Sequence, residues 1–259
     1  MYIIVCVKQV KVYNLGKRTP SAFSGNNDMF NNPSDLAALS WAIKLKQLYG
    51  FKVITISMGP SRVKALVRQL YSYGVDRAVL LTSPNLSGSD TFATSYTLGN
   101  MIKTLLPEYS LIICGDKSLD SETGQVPHSL AMELGINSYS NIVNILHNDK
   151  YFEITSAMES TWIKQIKEER LLITVTQGPE NYVNLPGIKN IIDSESKDVE
   201  IITCKELTIS DENVGDKGSF TKVVSIYNKD SITKRNLHSI VFEEKKMEVF
   251  MKTLFGDSL

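Results

Sequence analysis

Cysteine is scarce in this chain: Cys6, Cys114 and Cys204 are its only three, odd in number and far apart. That excludes a disulfide framework or a cysteine metal cluster. With Cys6 and Cys114 inside apolar runs, buried thiols in a reducing cytosol are expected. Histidine is as rare, and His128, His147 and His238 show no ligand spacing; they read as structural or surface residues. Excess charge of either sign is missing, with 28 Lys+Arg against 28 Asp+Glu. Nothing electrostatic therefore recommends nucleic acid or an anionic membrane surface as a partner. No apolar run approaches the ~18 residues of a membrane span. The N-terminal run YIIVCV has neither the basic region nor the cleavage site of a secretory leader. A cytoplasmic protein without membrane insertion is expected. The GxSxG, GxGxxG and GxxxxGK[ST] fingerprints are absent too, and no self-contained catalytic apparatus stands out.

What is present is α/β punctuation. YIIVCV (2–7) is a β-branched run suited to a strand buried on both faces. Residues 31–50 carry Leu36, Leu39 and Ile43 at helical spacing, with Ser34 as expected N-cap and Gly50 as stop. KVITISM (52–58), AVLLT (78–82) and LIICG (111–115) read as further strands. Helices are expected over 61–74, 89–106 and 123–135. Strands separated by such helices imply a doubly wound parallel sheet with right-handed crossovers. After residue 150, KYFEITSAM, TWIKQIK and RLLITVTQG follow one another closely and read as an antiparallel extension. Residues 178–197, rich in Pro, Gly and Asn, read as an exposed loop, and 207–259 as a C-terminal arm ending in an amphipathic helix. The expected division is thus a 1–206 α/β domain and a 207–259 arm.

Ligands of such sheets bind beyond the carboxyl ends of the strands, where strand order reverses. The turn CGDKSLDSETGQVP (114–127) is the most informative. Thr123 to Val126 would offer backbone amides at a helix N-terminus, where the dipole favours phosphate. Gly124 permits close approach, Thr123 and Gln125 add donors, and Asp120 suits a ribose hydroxyl. The residues alone leave two readings open: a nucleotide site, or an elaborate helix cap in which Asp120 and Glu122 are capping acids.

CVKQV, NNPSDLAALSWAIKLKQ, VITISMGPSRVKALVRQLYSYGVDRAVLLT, GSDTFATSYTL and CGDKSLDSETGQV, in that order, resemble the beta subunit of an electron-transfer flavoprotein. The match covers roughly residues 1–136, with echoes in YVNLPGIKNI and VGDKGSFTKV. The resemblance implies a fold of the adenine-nucleotide alpha-hydrolase-like type and a heterodimer with an alpha subunit carrying FAD. It implies a beta-site nucleotide, FAD in the bifurcating branch or AMP in simple electron carriers. SMGP, DTFATSYTL and TGQV are similar to the bifurcating branch, where TAQV is usual and Gly124 replaces Ala. Pro127 stands where Gly is usual. Carried over, Val7, Lys8, Met58, Gly59, Gly115, Asp120, Thr123, Gly124, Gln125 and Val126 would wrap the nucleotide. Asp90, Thr91, Thr94 and Thr97 would lie by its ring or the NADH entry, and Tyr13 near the alpha-subunit flavin. Leu185 would dock onto a partner dehydrogenase, such as an acyl-CoA dehydrogenase, and ferredoxin or flavodoxin would take low-potential electrons. Val7-Lys8-Gln9 differs from an SGGxDS-like pyrophosphate loop, which argues against an ATP pyrophosphatase on a related fold.

Overall fold

A computed structural model of the chain describes residues 1–11, 29–148, 150–168, 170–178, 181, 185–207 and 209–222. The first strand, β1 (Tyr2–Cys6), is followed by the short antiparallel pair β2 (Gln9–Lys11) and β3 (Met29–Asn31). Helix α1 (Pro33–Tyr49) opens at Asn32, not at the expected Ser34, because Pro33 fills the first helical position. Proline suits that position, where its missing N–H would have had no intrahelical acceptor. Asn32 O accepts the first helical bond, from Leu36 N at 3.0 Å. Gly50 ends the helix in a left-handed conformation.

Strand β4 (Lys52–Met58) matches its expected span. The helix expected over 61–74 is broken into a 3-10 turn, Ser61–Val63, the short α2 (Lys64–Gln69) and a second 3-10 turn, Leu70–Tyr73. β5 (Arg77–Leu81), α3 (Thr91–Leu105), β6 (Tyr109–Gly115) and α4 (Gln125–Leu134) complete the first half close to expectation.

Beyond α4 lie β7 (Ser138–Tyr139), β8 (Ile142–Asn148), β9 (Tyr151–Met158), β10 (Thr161–Glu168) and β11 (Leu171–Val175). The antiparallel extension is real, but its members are β8, β9 and β10. The segment RLLITVTQG does not belong to it: β11 lies parallel between β6 and β7 in the main sheet. Its five residues are all buried, which fits a strand covered on both faces and not an exposed ribbon. Within the stretch read as a loop, α5 (Ile188–Ser194) forms, and β12 (Glu200–Ile202) then joins the sheet edge beside β5. The last described helix is α6 (Gly215–Gly218).

The seven-stranded sheet is parallel throughout, in the order β12-β5-β4-β1-β6-β11-β7. Because successive side chains on a strand point to opposite faces, β1 feeds two cores. Ile3 and Val5 pack with Leu39 and Leu45 of α1 and Val67 of α2, while Ile4 packs with Met101 and Ile102 of α3 and Leu130 of α4. The chain runs outward through β4 and β5, then returns to β1's other side as β6. The strand order therefore reverses at β1 and β6, and the loops following them meet there. Among the described residues no helix is long and apolar enough to cross a membrane.

Candidate nucleotide-binding site at the β1/β6 crossover

Two residues at the start of α1 tie the ends of β1 and β6 together. Asp35 is 7% exposed. Its carboxylate accepts from Lys8 N at 2.8 Å and Gly115 N at 3.1 Å, one amide from each strand end. Being in the first turn of α1, it also gains from the positive end of the helix dipole. Burial nonetheless pushes its carboxyl up to about 7, against the opposing hydrogen bonds from Lys8, Asn32 and Gly115.

Asn32 does not cap its own helix with its side chain. Its Nδ2 donates to Lys117 O at 2.9 Å and its Oδ1 accepts from Leu119 N at 3.1 Å, so it holds the loop after β6 from beneath. Neither contact is visible locally, because the partners are more than 80 residues away in sequence. Asn32→Ala removes both of these partly buried bonds, at a cost of about 2 kcal/mol. Thermal unfolding should show the loss, and hydrogen exchange should be faster at Leu119.

The loop itself is closed from above by Lys8. Its Nζ lies 2.7 Å from Asp120 Oδ1 and 3.3 Å from Ser118 Oγ, and Ser118 and Ser121 share a hydrogen bond of 2.8 Å. For Asp120, burial alone would raise the carboxyl, but bonds from Lys8 and Ser118 outweigh it and hold it below the ordinary value. Asp120 is thus already paired in this structure. Lys117 faces Glu122 at 3.9 Å. Asp116 Oδ1 is buried without a donor among the described residues.

Gly124 is the N-cap of α4, with φ +64° and no side-chain cap. A Cβ there would sit 3.1 Å from Asp116 O, in a backbone conformation that side chains rarely adopt. The loop reaches it through Glu122, itself at φ +53°. The amides of Thr123, Gly124, Gln125 and Val126 make no backbone hydrogen bond among the described residues. Pro127, in the first turn of α4, has no amide to add. The helix therefore opens with a small set of free donors and an unshielded dipole.

Around this terminus the other sequence-derived residues are arranged unequally. Thr91 Oγ1 donates to Gln125 Oε1 at 3.1 Å, bringing the first turns of α3 and α4 together. Asp90 caps α3, accepting from Ala93 N at 2.9 Å, and its other oxygen accepts Thr221 N and Oγ1, both at 3.0 Å. Burial works to raise the Asp90 carboxyl, but these bonds prevail and keep it low. Thr94 is half-buried. Thr97 is wholly buried, with its hydroxyl committed to Ala93 O at 2.6 Å. Val7 is buried at the end of β1, and Met58 and Gly59 form the end of β4, where Gly59 N donates to Leu81 O at 3.1 Å. Gly115 admits no side chain: a Cβ would lie 2.4 Å from Asp35 Oδ1 and 2.7 Å from the Ser34 carbonyl carbon. Cys6 and Cys114 lie side by side under the site, and their mutual contact, then burial, pushes the Cys114 thiol well up. Leu185 is elsewhere, 85% exposed before α5. Tyr13 lies outside the described residues.

Fold and site together define a doubly wound α/β protein with an uncapped helix terminus at its strand-order reversal. The model of the electron transfer flavoprotein domain matches residues 24–207. The chain is 31% identical over 230 residues to the electron transfer flavoprotein subunit beta of Thermoanaerobacterium thermosaccharolyticum, covering 87% of both chains. It is 34% identical over 151 residues to protein FixA of Bradyrhizobium diazoefficiens, covering 56% of this chain and 52% of that one. It is 29% identical over 232 residues to the acryloyl-CoA reductase electron transfer subunit gamma of Anaerotignum propionicum, covering 86% of both. The chain belongs to the electron-transfer flavoprotein family, as a subunit of the beta type.

Proposed function

We propose that the chain is the beta subunit of a heterodimeric electron-transfer flavoprotein and holds FAD at the β1/β6 crossover. The observation that carries nucleotide binding is the uncapped N-terminus of α4, with Gly124 in a left-handed turn and free amides beside it. That terminus suits a phosphate. Gly59 and Gly115 keep the neighbouring strand ends bare of side chains, and the unpartnered Asp116 Oδ1 suits a ribose hydroxyl. Thr91 and Thr94 line the approach from α3. Thr97 has no free hydroxyl to offer and acts within the helix. Leu185 and the segment around it, 178–197, would dock the partner, and 207–259, of which 208 and 223–259 lie outside the described residues, would be an arm on the alpha subunit.

Bound there, FAD would supply the redox chemistry, taking electrons from NADH and dividing them between two acceptors. These are a ferredoxin or flavodoxin and, through the alpha-subunit FAD, a dehydrogenase such as an acyl-CoA dehydrogenase. The chain's own part is to bind and orient. Lys8 and Asp120 hold the loop shut over β1, and Asp35 fixes the spacing of the two strand ends. The names of the relatives support this reading: one is an electron transfer subunit of acryloyl-CoA reductase.

A second reading, AMP in a simple electron carrier, is favoured by one feature. The loop carries Asp116, Asp120 and Glu122 against Lys8 and Lys117, and Pro127 removes a donor, so its capacity for anionic charge suits one phosphate better than two. Denaturing the purified heterodimer and identifying the released nucleotide separates the readings. FAD from both subunits, with NADH bleaching the flavin, is expected. FAD from the alpha subunit alone, with AMP beside it and no reduction by NADH, would overturn the FAD assignment.

A further inference from the structure

We propose that a groove between α1 and α5 receives a carboxylate of the redox partner, with Lys44 as its counter-ion. This rests on the reading of Leu185 as a docking residue and goes beyond it. On α5, Ile188, Ile191 and Ile192 are spaced at i, i+3 and i+4, the spacing of one helix face, with Leu185 three residues ahead of the helix. Such a face is ordinarily turned to the core. Here it faces out, at 78%, 45% and 65% exposure, beside Leu185 at 85%. The opposite side of α5 rests on α2 and the 3-10 turn Leu70–Tyr73.

The base of this apolar face is fixed. Asn181, 4% exposed, accepts from Trp41 Nε1 at 2.5 Å and donates to Ile142 O and Thr176 O, both at 3.0 Å. Beyond α5, Tyr71 donates its hydroxyl to Asp198 O at 2.9 Å. A segment pinned at both ends offers its apolar side chains at little ordering cost, which favours association.

Beside Leu185 opens a groove of about 550 Å³, whose walls include Trp41, Lys44, Tyr73 and Asn190. Among the described residues that line it, Lys44 carries the only formal charge. The ammonium sits 4.2 Å from the centre of the Trp41 ring and makes no ion pair among the described residues. A cation held on an indole face has lost water on one side, and this one has no counter-charge among the described residues. A carboxylate supplies that charge, and the remaining space accommodates the apolar groups beside it. The fitting partner therefore presents an acid next to an apolar pocket for Leu185. Charge pairing of this kind acts chiefly on association rate and salt dependence.

The test uses the intact heterodimer and, as probe, an acyl-CoA dehydrogenase from the same organism reduced by its acyl-CoA substrate. Electron-transfer rates are followed by stopped flow over a salt series. Lys44→Glu is expected to slow association roughly tenfold at low salt and to flatten the salt dependence, with Lys44→Arg close to wild type. Leu185→Ala is expected to slow it at every salt concentration. If Leu185→Ala slows transfer while Lys44→Glu does not, the groove proposal fails and the docking reading stands. If neither does, the docking reading fails and takes the proposal with it.

Discussion

Asp35→Ala is expected to cost roughly 4 kcal/mol, because it leaves the partly buried Lys8 N and the buried Gly115 N without an acceptor at about 1–3 kcal/mol each. The loss falls on the two strand ends that frame the proposed nucleotide site, so nucleotide retention should fall with it. A urea titration measures the first effect and equilibrium dialysis of the refolded heterodimer the second. The same residue makes a pH signature. Its carboxyl titrates at about 7 in the fold against 3.8 as the ordinary value. Between these values the folded protein keeps a proton that the unfolded chain has released. The contribution to stability is therefore full below 3.8 and is lost as pH rises to about 7. Spread over that window it amounts to roughly 4 kcal/mol, at about 1.4 kcal/mol per unit. The groups in its surroundings are Lys8, Asn32, Gly115 and Cys114, and the raised Cys114 thiol keeps its proton throughout. Asp35→Asn removes the titration. Stability curves of wild type and Asp35→Asn that run parallel from pH 4 to 8 would show that another group is responsible.

The second large effect lies at the segment that leads into α3. Gly215 adopts φ +61°, and a Cβ there would stand 1.9 Å from Asn85 O. Left-handed strain costs about 1–3 kcal/mol, and the clash is with backbone, which cannot swing aside. Gly215→Ala should thus lose at least about 3 kcal/mol. The damage should spread along a defined path. Asp216 N donates to Ser87 O at 2.9 Å, and Ser219 Oγ bonds both Gly88 O and Gly215 O. Ser219 in turn accepts Asp90 N at 2.8 Å, and Thr221 holds Asp90 Oδ2. Loosening this strap should free Asp90, and tryptic cleavage after Lys217 should accelerate before global unfolding. Equal cleavage rates in wild type and variant would refute the path.

The sequence disclosed most of the parallel sheet, for a physical reason. Strands such as β1 and β4 are buried on both faces, so their β-branched runs are continuous and need no partner to be recognised. Where burial is one-sided or brief, the signal fades. β8 has Asn144 and Asn148 on its course and a register shift between Ile142 and Asn144, which blurs its alternation. β12 has only three residues. α5 carries an apolar face that the fold leaves exposed, so its periodicity went unread beside Pro186 and Gly187. At the site, the loop after β6 was legible from glycine and small polar residues. The clamps were not. Asn32 and Asp35 look like ordinary residues of a helix start, and their roles depend on partners that only the folded chain brings near.

The central position of β1 also governs how the chain is made. Its pairing with β4 can form once residue 58 is synthesised, but its other neighbour, β6, begins only at Tyr109. At roughly 5–20 residues per second, β1 then waits on the order of 3–11 s with one edge open while the chain from Met58 to Gly115 is made. During that interval YIIVC is an uncovered apolar template for another nascent chain. Assembly of the crossover is thus a late event in synthesis, and chaperone demand should be concentrated in that window.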